Sequence, residues 1–193
     1  MKKLILGLLI TLTFASCKEN TEPVNDTEVE VEIASVESDS QEPSSTLEFD
    51  NAETALQLIQ NYVQALQQGD VDKMNAQLDE NAVIIGLGGS LDSLNVTQHN
   101  DYYTESTSLV THTITEDLYL PIKVDNNWNE GEWVLSWGTN TITNKETSKA
   151  FEVPYHIASR VENGKVNYMR YYYDMLNVIR NQGFTISPPE TEE

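Results

Sequence analysis

One cysteine, Cys17, is present in 193 residues. A lone cysteine excludes an intramolecular disulfide and any cysteine-rich zinc site. Basic residues are scarce as well: 11 Lys and Arg stand against 31 Asp and Glu, for a formal net charge of −20. Residues 18–50 hold eleven acids against Lys18, and residues 51–183 hold seventeen acids against eight bases, a net of −9. Both parts are acidic, so no nucleic-acid partner is expected, because phosphate binding needs a basic patch. Charge-driven adhesion to anionic lipid is disfavoured on the same ground. Gly86, Gly88 and Gly89 lack the lysine of a P-loop and the spacing of a dinucleotide fingerprint. There is no G-x-S-x-G elbow, and no internal repeat is visible. His99 and His112 are isolated in sequence, so neither a metal nor a cofactor is expected.

What is present begins with an address. Met1-Lys2-Lys3 is a positive start, and Leu4 to Phe14 is an apolar run too short for a membrane span. Ala15-Ser16 and then Cys17 follow. The arrangement resembles the lipobox of bacterial lipoproteins, which implies cleavage after residue 16, a lipid on Cys17, and a place in the cell envelope. The other reading is an ordinary secretory signal with an incidental cysteine. Residues 17–50 are rich in Glu, Ser, Thr and Pro and poor in aromatics. Such a segment cannot bury enough apolar surface to offset its ordering entropy, so it is expected to be a solvated tether. About thirty flexible residues would span on the order of 30 Å.

Residues 51–183 read as the domain, with residues 184–193 an acidic, proline-bearing tail. Ala55, Leu58, Ile59, Tyr62, Val63 and Leu66 recur at helical spacing over Ala52–Gln68. Asp50 or Asn51 can cap its start, and Gly69 ends it. Asp70 is expected to cap a second helix over Val71–Leu78. A short apolar strand follows at Asn81–Ile85, then a third helix at Asn95–Thr107. Strands are expected at Val110–Ile122, ending at Pro121, at Glu132–Thr143, and in a hairpin from Phe151 to Asp174 with its turn at Asn163-Gly164. Met175–Gln182 closes the domain as a short helix. Helices first and then a run of strands indicate an α+β fold with helices on one face of an antiparallel sheet.

Three stretches, Tyr62–Ile84, Trp133–Gly138 and Glu162–Gly183, resemble the SnoaL-like branch of the nuclear transport factor 2-like superfamily. The helix-Gly-Asp-helix start and the Gly164-Lys165-Val166 to Tyr172-Tyr173-Asp174 ending carry the resemblance. It implies a cone: a curved antiparallel sheet wrapped round helices and open at one end. Members of that group include isomerases, cyclases, dehydratases and binding domains, so the fold alone sets no function. Isomerase-type members carry a carboxylate base in the strand after the second helix. Here that strand is Ala82-Val83-Ile84-Ile85, with none.

The hairpin holds the densest polar chemistry. With Gly164 in a bulge, Val161 pairs with Lys165 and His156 faces Arg170. One face then collects His156, Arg160, Tyr168, Arg170, Tyr172 and Asp174. The other collects Phe151, Val153, Tyr155, Ile157, Met169, Tyr171 and Tyr173. A two-residue turn would slip the register by one and mix the sets. The bulged register is the expectation, because its second set is what a core face should be. His156 and Asp174 are candidate acid and base, although Asp174 is also well placed to cap the last helix. Arg170 can orient an anionic group or pair with a carboxylate. Tyr172 and Trp137 are candidate ligand contacts, and the resemblance implies the same for Tyr62. Each of these aromatics can equally serve the core or a dimer interface.

Three functions remain open. The first is a lipid-anchored domain that binds a small, partly apolar molecule in its cone. The second is an isomerase-, cyclase- or dehydratase-like enzyme using His156 and Asp174. The third is a non-catalytic interaction module, in which a homodimer forms through the outer sheet face.

Overall fold

The computed structural model describes residues 42–89 and 91–187. The signal segment, Cys17, most of the tether and the end of the tail lie outside the described residues. The elements run β1 (Ser44–Thr46), α1 (Ala52–Gln68), α2 (Val71–Asn75), β2 (Leu78–Ile85), β3 (Ser93–Leu94), α3 (Val96–Leu109), β4 (Val110–Asp125), β5 (Gly131–Asn144), β6 (Ala150–Glu162), β7 (Lys165–Tyr173) and α4 (Met175–Asn181). The strands form one sheet of order β1-β4-β5-β6-β7-β2-β3. It is antiparallel except for β2, which lies parallel to β7. The expected all-antiparallel sheet is thus a mixed one.

The α1 helix has the expected bounds, and its apolar stripe of Ala55, Ile59, Tyr62, Val63 and Leu66 is buried. Gly69 ends it at φ 69°, a left-handed conformation that glycine adopts without a Cβ penalty. The start differs from expectation. Asn51 occupies the N-cap without a capping hydrogen bond, and its amide donates to Glu132 Oε1 at 3.3 Å. Asp70 caps α2 by accepting from the Lys73 amide at 3.1 Å. That helix stops at Asn75, three residues short of expectation, because Leu78 is already paired with Val166 of β7. Asn95 and Gln98 close a capping box on α3. Pro121 sits inside β4, opposite Val134, rather than ending it. Ser44–Thr46, assigned by composition to the tether, is a strand paired to Lys123–Asp125.

The hairpin corrects one expectation and keeps another. Its turn is a two-residue loop, with Glu162 opposite Lys165 and positive φ at both Asn163 (51°) and Gly164 (71°). That alone would mix the two faces. An extra residue at Asn167 restores the alternation, so that Arg160 faces Tyr168 and His156 faces Tyr172, not Arg170. Arg170 instead faces Ala158. Two displacements in the same sense add to a shift of two residues, which leaves the face sets unmixed.

The core lies between the helices and the inner sheet face. Val134, Ser136, Ile157, Ser159, Val161, Val166, Met169 and Tyr171 are buried there, with Ile59 and Tyr62 of α1 opposite. The outward residues form cross-strand rows. One is Leu118, Trp137, His156 and Tyr172, spanning β4 to β7. In it the His156 ring stacks on Tyr172 and meets Trp137 edge-on. Leu118 and Tyr172 are about half exposed, at 52% and 50%.

Candidate functional site

A cavity of about 200 Å³ opens between α1, α3, α4 and the inner face of the sheet. Its wall follows from the alternation of the strands: Phe151, Val153, Tyr155, Ile157, Tyr171 and Tyr173 are the inward set of the hairpin. Helix α1 adds Tyr62, Val63 and Leu66, and α3 adds Tyr102, Tyr103 and Ser106. From β4 and β5 come His112, Ile114, Asn140 and Ile142. Leu87, Val110, Val178 of α4 and Gln182 just after it complete the lining, in which no Asp, Glu, Lys or Arg takes part among the described residues.

Two polar clusters sit in this apolar wall. On the α1 side, Tyr171 Oη lies 2.5 Å from Tyr62 Oη, which lies 2.6 Å from His99 Nε2. His99 Nδ1 is 2.8 Å from Asn75 Oδ1. His99 is fully buried, and burial lowers its pKa to about 4, so it is neutral at pH 7. Burial likewise raises the Tyr62, Tyr103 and Tyr171 phenols well above their usual value. On the β4 side, the Asn140 side-chain amide lies 3.1 Å from His112 Nδ1, and His112 Nε2 lies 3.4 Å from Ser106 Oγ. Burial lowers the His112 pKa, with the Asn140 hydrogen bond opposing.

Two buried polar atoms of the lining have no partner: Asn140 Oδ1 and Tyr155 Oη. Either orientation of the Asn140 amide leaves one of its ends free. Burial and the nearby Asp117 charge raise the Tyr155 pKa to about 12. The Tyr173 hydroxyl is occupied, donating to Leu87 O at 2.5 Å. All of these groups are neutral at pH 7. The arrangement can orient a small molecule by hydrogen bonds, but it offers no carboxylate base. Among the described residues, no group of three His, Cys, Asp or Glu side chains converges where a metal could bind.

The residues singled out in the sequence distribute unevenly. Tyr62 lines the cavity. His156, Arg170, Tyr172 and Trp137 lie on the outer sheet face, because each alternates with an inward residue. Among the described residues Arg170 reaches no carboxylate; its guanidinium is 5.4 Å from the centre of the Tyr172 ring. Asp174 caps α4, accepting from the Asn177 amide at 2.9 Å. Neither His156 nor Asp174 lines the cavity. Sequence reasoning passed over His99, His112, Asn75 and Asn140, whose partners come from other elements. One signal was available: His99 and Tyr103 stand four residues apart on a helix, and so share a face.

No family model and no curated protein matches the sequence. Solved structures do match. A nuclear transport factor 2-like protein from Burkholderia xenovorans aligns with a TM-score of 0.52 and 22% identity, over 67% of this chain and 95% of that one. An LEH-like epoxide hydrolase from M. tuberculosis aligns at 0.53 and 15% identity, over 67% and 89%. A protein of ketosteroid isomerase-like fold from Catenulispora acidiphila, in complex with trimethylamine, aligns at 0.50 and 13% identity, over 68% and 97%. Together with the helix order, the curved sheet and the cavity between them, these alignments identify the fold of this chain as nuclear transport factor 2-like.

Proposed function

We propose that the domain binds a small, largely apolar molecule carrying a polar group, held in the cavity against the inner sheet face. The observation that carries this reading is the cavity of about 200 Å³ itself, walled by apolar and aromatic side chains with a few polar groups among them. The trimethylamine complex of one structural neighbour is a case of the same fold taking a small molecule. The test is a thermal-shift and NMR screen of neutral monocyclic compounds, with Val153→Phe as a variant whose cavity is filled. A ligand at a hundredfold its Kd stabilises the native state by about 2.7 kcal/mol. Stabilisation of the parent chain, lost in the filled variant, is expected. Equal responses from the two would sink the reading.

The anchor belongs to the same proposal. The run Met1 to Cys17 supports lipidation of Cys17 and tethering of the domain in the cell envelope. Cys17→Ser should then leave the membrane fraction and lose the lipid mass. A second reading, a homodimer through the outer sheet face, is favoured by the Leu118–Trp137–His156–Tyr172 row, which no described element covers. A monomer by sedimentation at high concentration would remove it.

A further inference from the structure

The hydrogen-bond chain behind the cavity has a direction that the side chains themselves determine. The Asn75 amide nitrogen donates to Val71 O at 3.1 Å, one turn back on its own helix. Its other end, Oδ1, therefore points at His99 Nδ1, and an oxygen there can only accept. The reverse amide orientation would bring two oxygens together at Val71. His99 must carry its proton on Nδ1, and in the neutral ring Nε2 is then a bare acceptor. Tyr62 must donate its hydroxyl proton to that nitrogen. The Tyr62 oxygen can then only accept from its neighbour, so Tyr171 donates to Tyr62.

Every proton in the chain thus points away from the cavity, and what is left on the cavity side is a lone pair. The Tyr103 phenol also neighbours Tyr62 and Tyr171, whose own protons are already placed, so toward them it can only donate. If it donates to Tyr171, its own oxygen becomes the acceptor on the cavity side. The lining contains no Asp, Glu, Lys or Arg. A charged ligand would be buried without a counterion, which is strongly unfavourable. The volume, about 200 Å³, exceeds the roughly 150 Å³ that suffices for benzene.

We infer that the Asn75–His99–Tyr62–Tyr171 chain presents a hydrogen-bond acceptor to the cavity, and that the ligand is an uncharged alcohol: a compact hydrocarbon whose hydroxyl donates to that acceptor. This rests on the cavity being a binding site, and it deepens that reading by fixing which partner donates.

The direction of the chain and the ligand class are tested together on the full chain by nitrogen-15 NMR of the imidazoles. The sequence contains only three histidines, and His112→Gln and His156→Gln assign them. The expected result is a neutral His99 protonated on Nδ1. Benzyl alcohol and anisole are then titrated. They are isomers of equal size, one with a hydroxyl proton and one without. Benzyl alcohol should bind about two- to tenfold more tightly, the range of one net hydrogen bond. His99 protonated on Nε2 would overturn the direction. Anisole binding as tightly as its isomer, with shifts confined to cavity residues, would overturn the ligand class and leave the binding site standing. Silence from cavity residues with either isomer would remove the binding reading, and this inference with it.

Discussion

His99 offers a direct thermodynamic reading of the buried chain. Its ring is fully buried between Asn75 and Tyr62, and burial lowers its pKa to about 4. In the unfolded chain the same group titrates near 6.5. Between these values the unfolded state binds a proton that the folded state refuses, so stability falls as pH falls. Integrating the linkage from pH 7 to pH 5 gives a loss of about 2 kcal/mol from this residue. His112 contributes with the same sign but remains in place in a His99→Gln variant, so the difference between the two profiles isolates His99. The assay is urea unfolding at pH 7, 6 and 5 for both proteins. The variant should start lower at pH 7 by roughly 1–3 kcal/mol, because it disturbs buried partners. Its curve should then be flatter, closing the gap by about 2 kcal/mol at pH 5. Parallel curves would refute the reasoning, since they would mean that His99 titrates in the folded protein as it does in the unfolded one.

Three further outcomes are expected from urea unfolding at neutral pH. Gly86→Ala should destabilise by about 2 kcal/mol or more, because the residue has a φ of 93° and a Cβ there would lie 2.5 Å from Tyr171 O. Gly164→Ala, at a φ of 71° with nothing within 4 Å, should cost only about 1 kcal/mol, so near-equal losses would contradict the packing at Gly86. Asn95→Ala removes the α3 capping box and should cost about 1 kcal/mol, while Asn51→Ala, whose side chain caps nothing, should cost α1 little. Ile59→Ala, fully buried under the sheet, should lose about 2–5 kcal/mol.

The parts of this fold that were legible in sequence are those where one residue pattern decides. The stripe of α1 and the glycine after it fixed that helix to the residue. The alternation of the hairpin fixed which side chains face inward, because a core face must be apolar. The pairing partners were not legible. The turn type and the bulge at Asn167 each shift the register by one, and only together do they leave the apolar set intact, so hydrophobicity cannot count them. Ser44–Thr46 is short, polar and exposed, and only β4 beside it makes it a strand. The site was the least legible. Asn75, His99, Tyr62 and Tyr171 come from four elements, and each is unremarkable alone. His156 and Asp174 drew notice by falling on one face of the hairpin, yet one sits in the middle of the outer face and the other at a helix start.

The parallel pairing of β2 with β7 also has a consequence in time. Leu78 lies opposite Val166 and Ile85 opposite Arg170, so a strand near the start of the domain waits for one near its end. Such non-local closure is slow, because loop entropy must be overcome before the contact rewards it. Until β7 arrives, β2 has a bare edge, and an edge of that kind invites pairing with other chains. The same last strand brings Val166, Met169 and Tyr171, so core, cavity wall and the cavity end of the His99 chain are completed together. A chain that ends before β7 would leave β2 and β3 cut off from the rest of the sheet and the cavity without its Tyr171 wall.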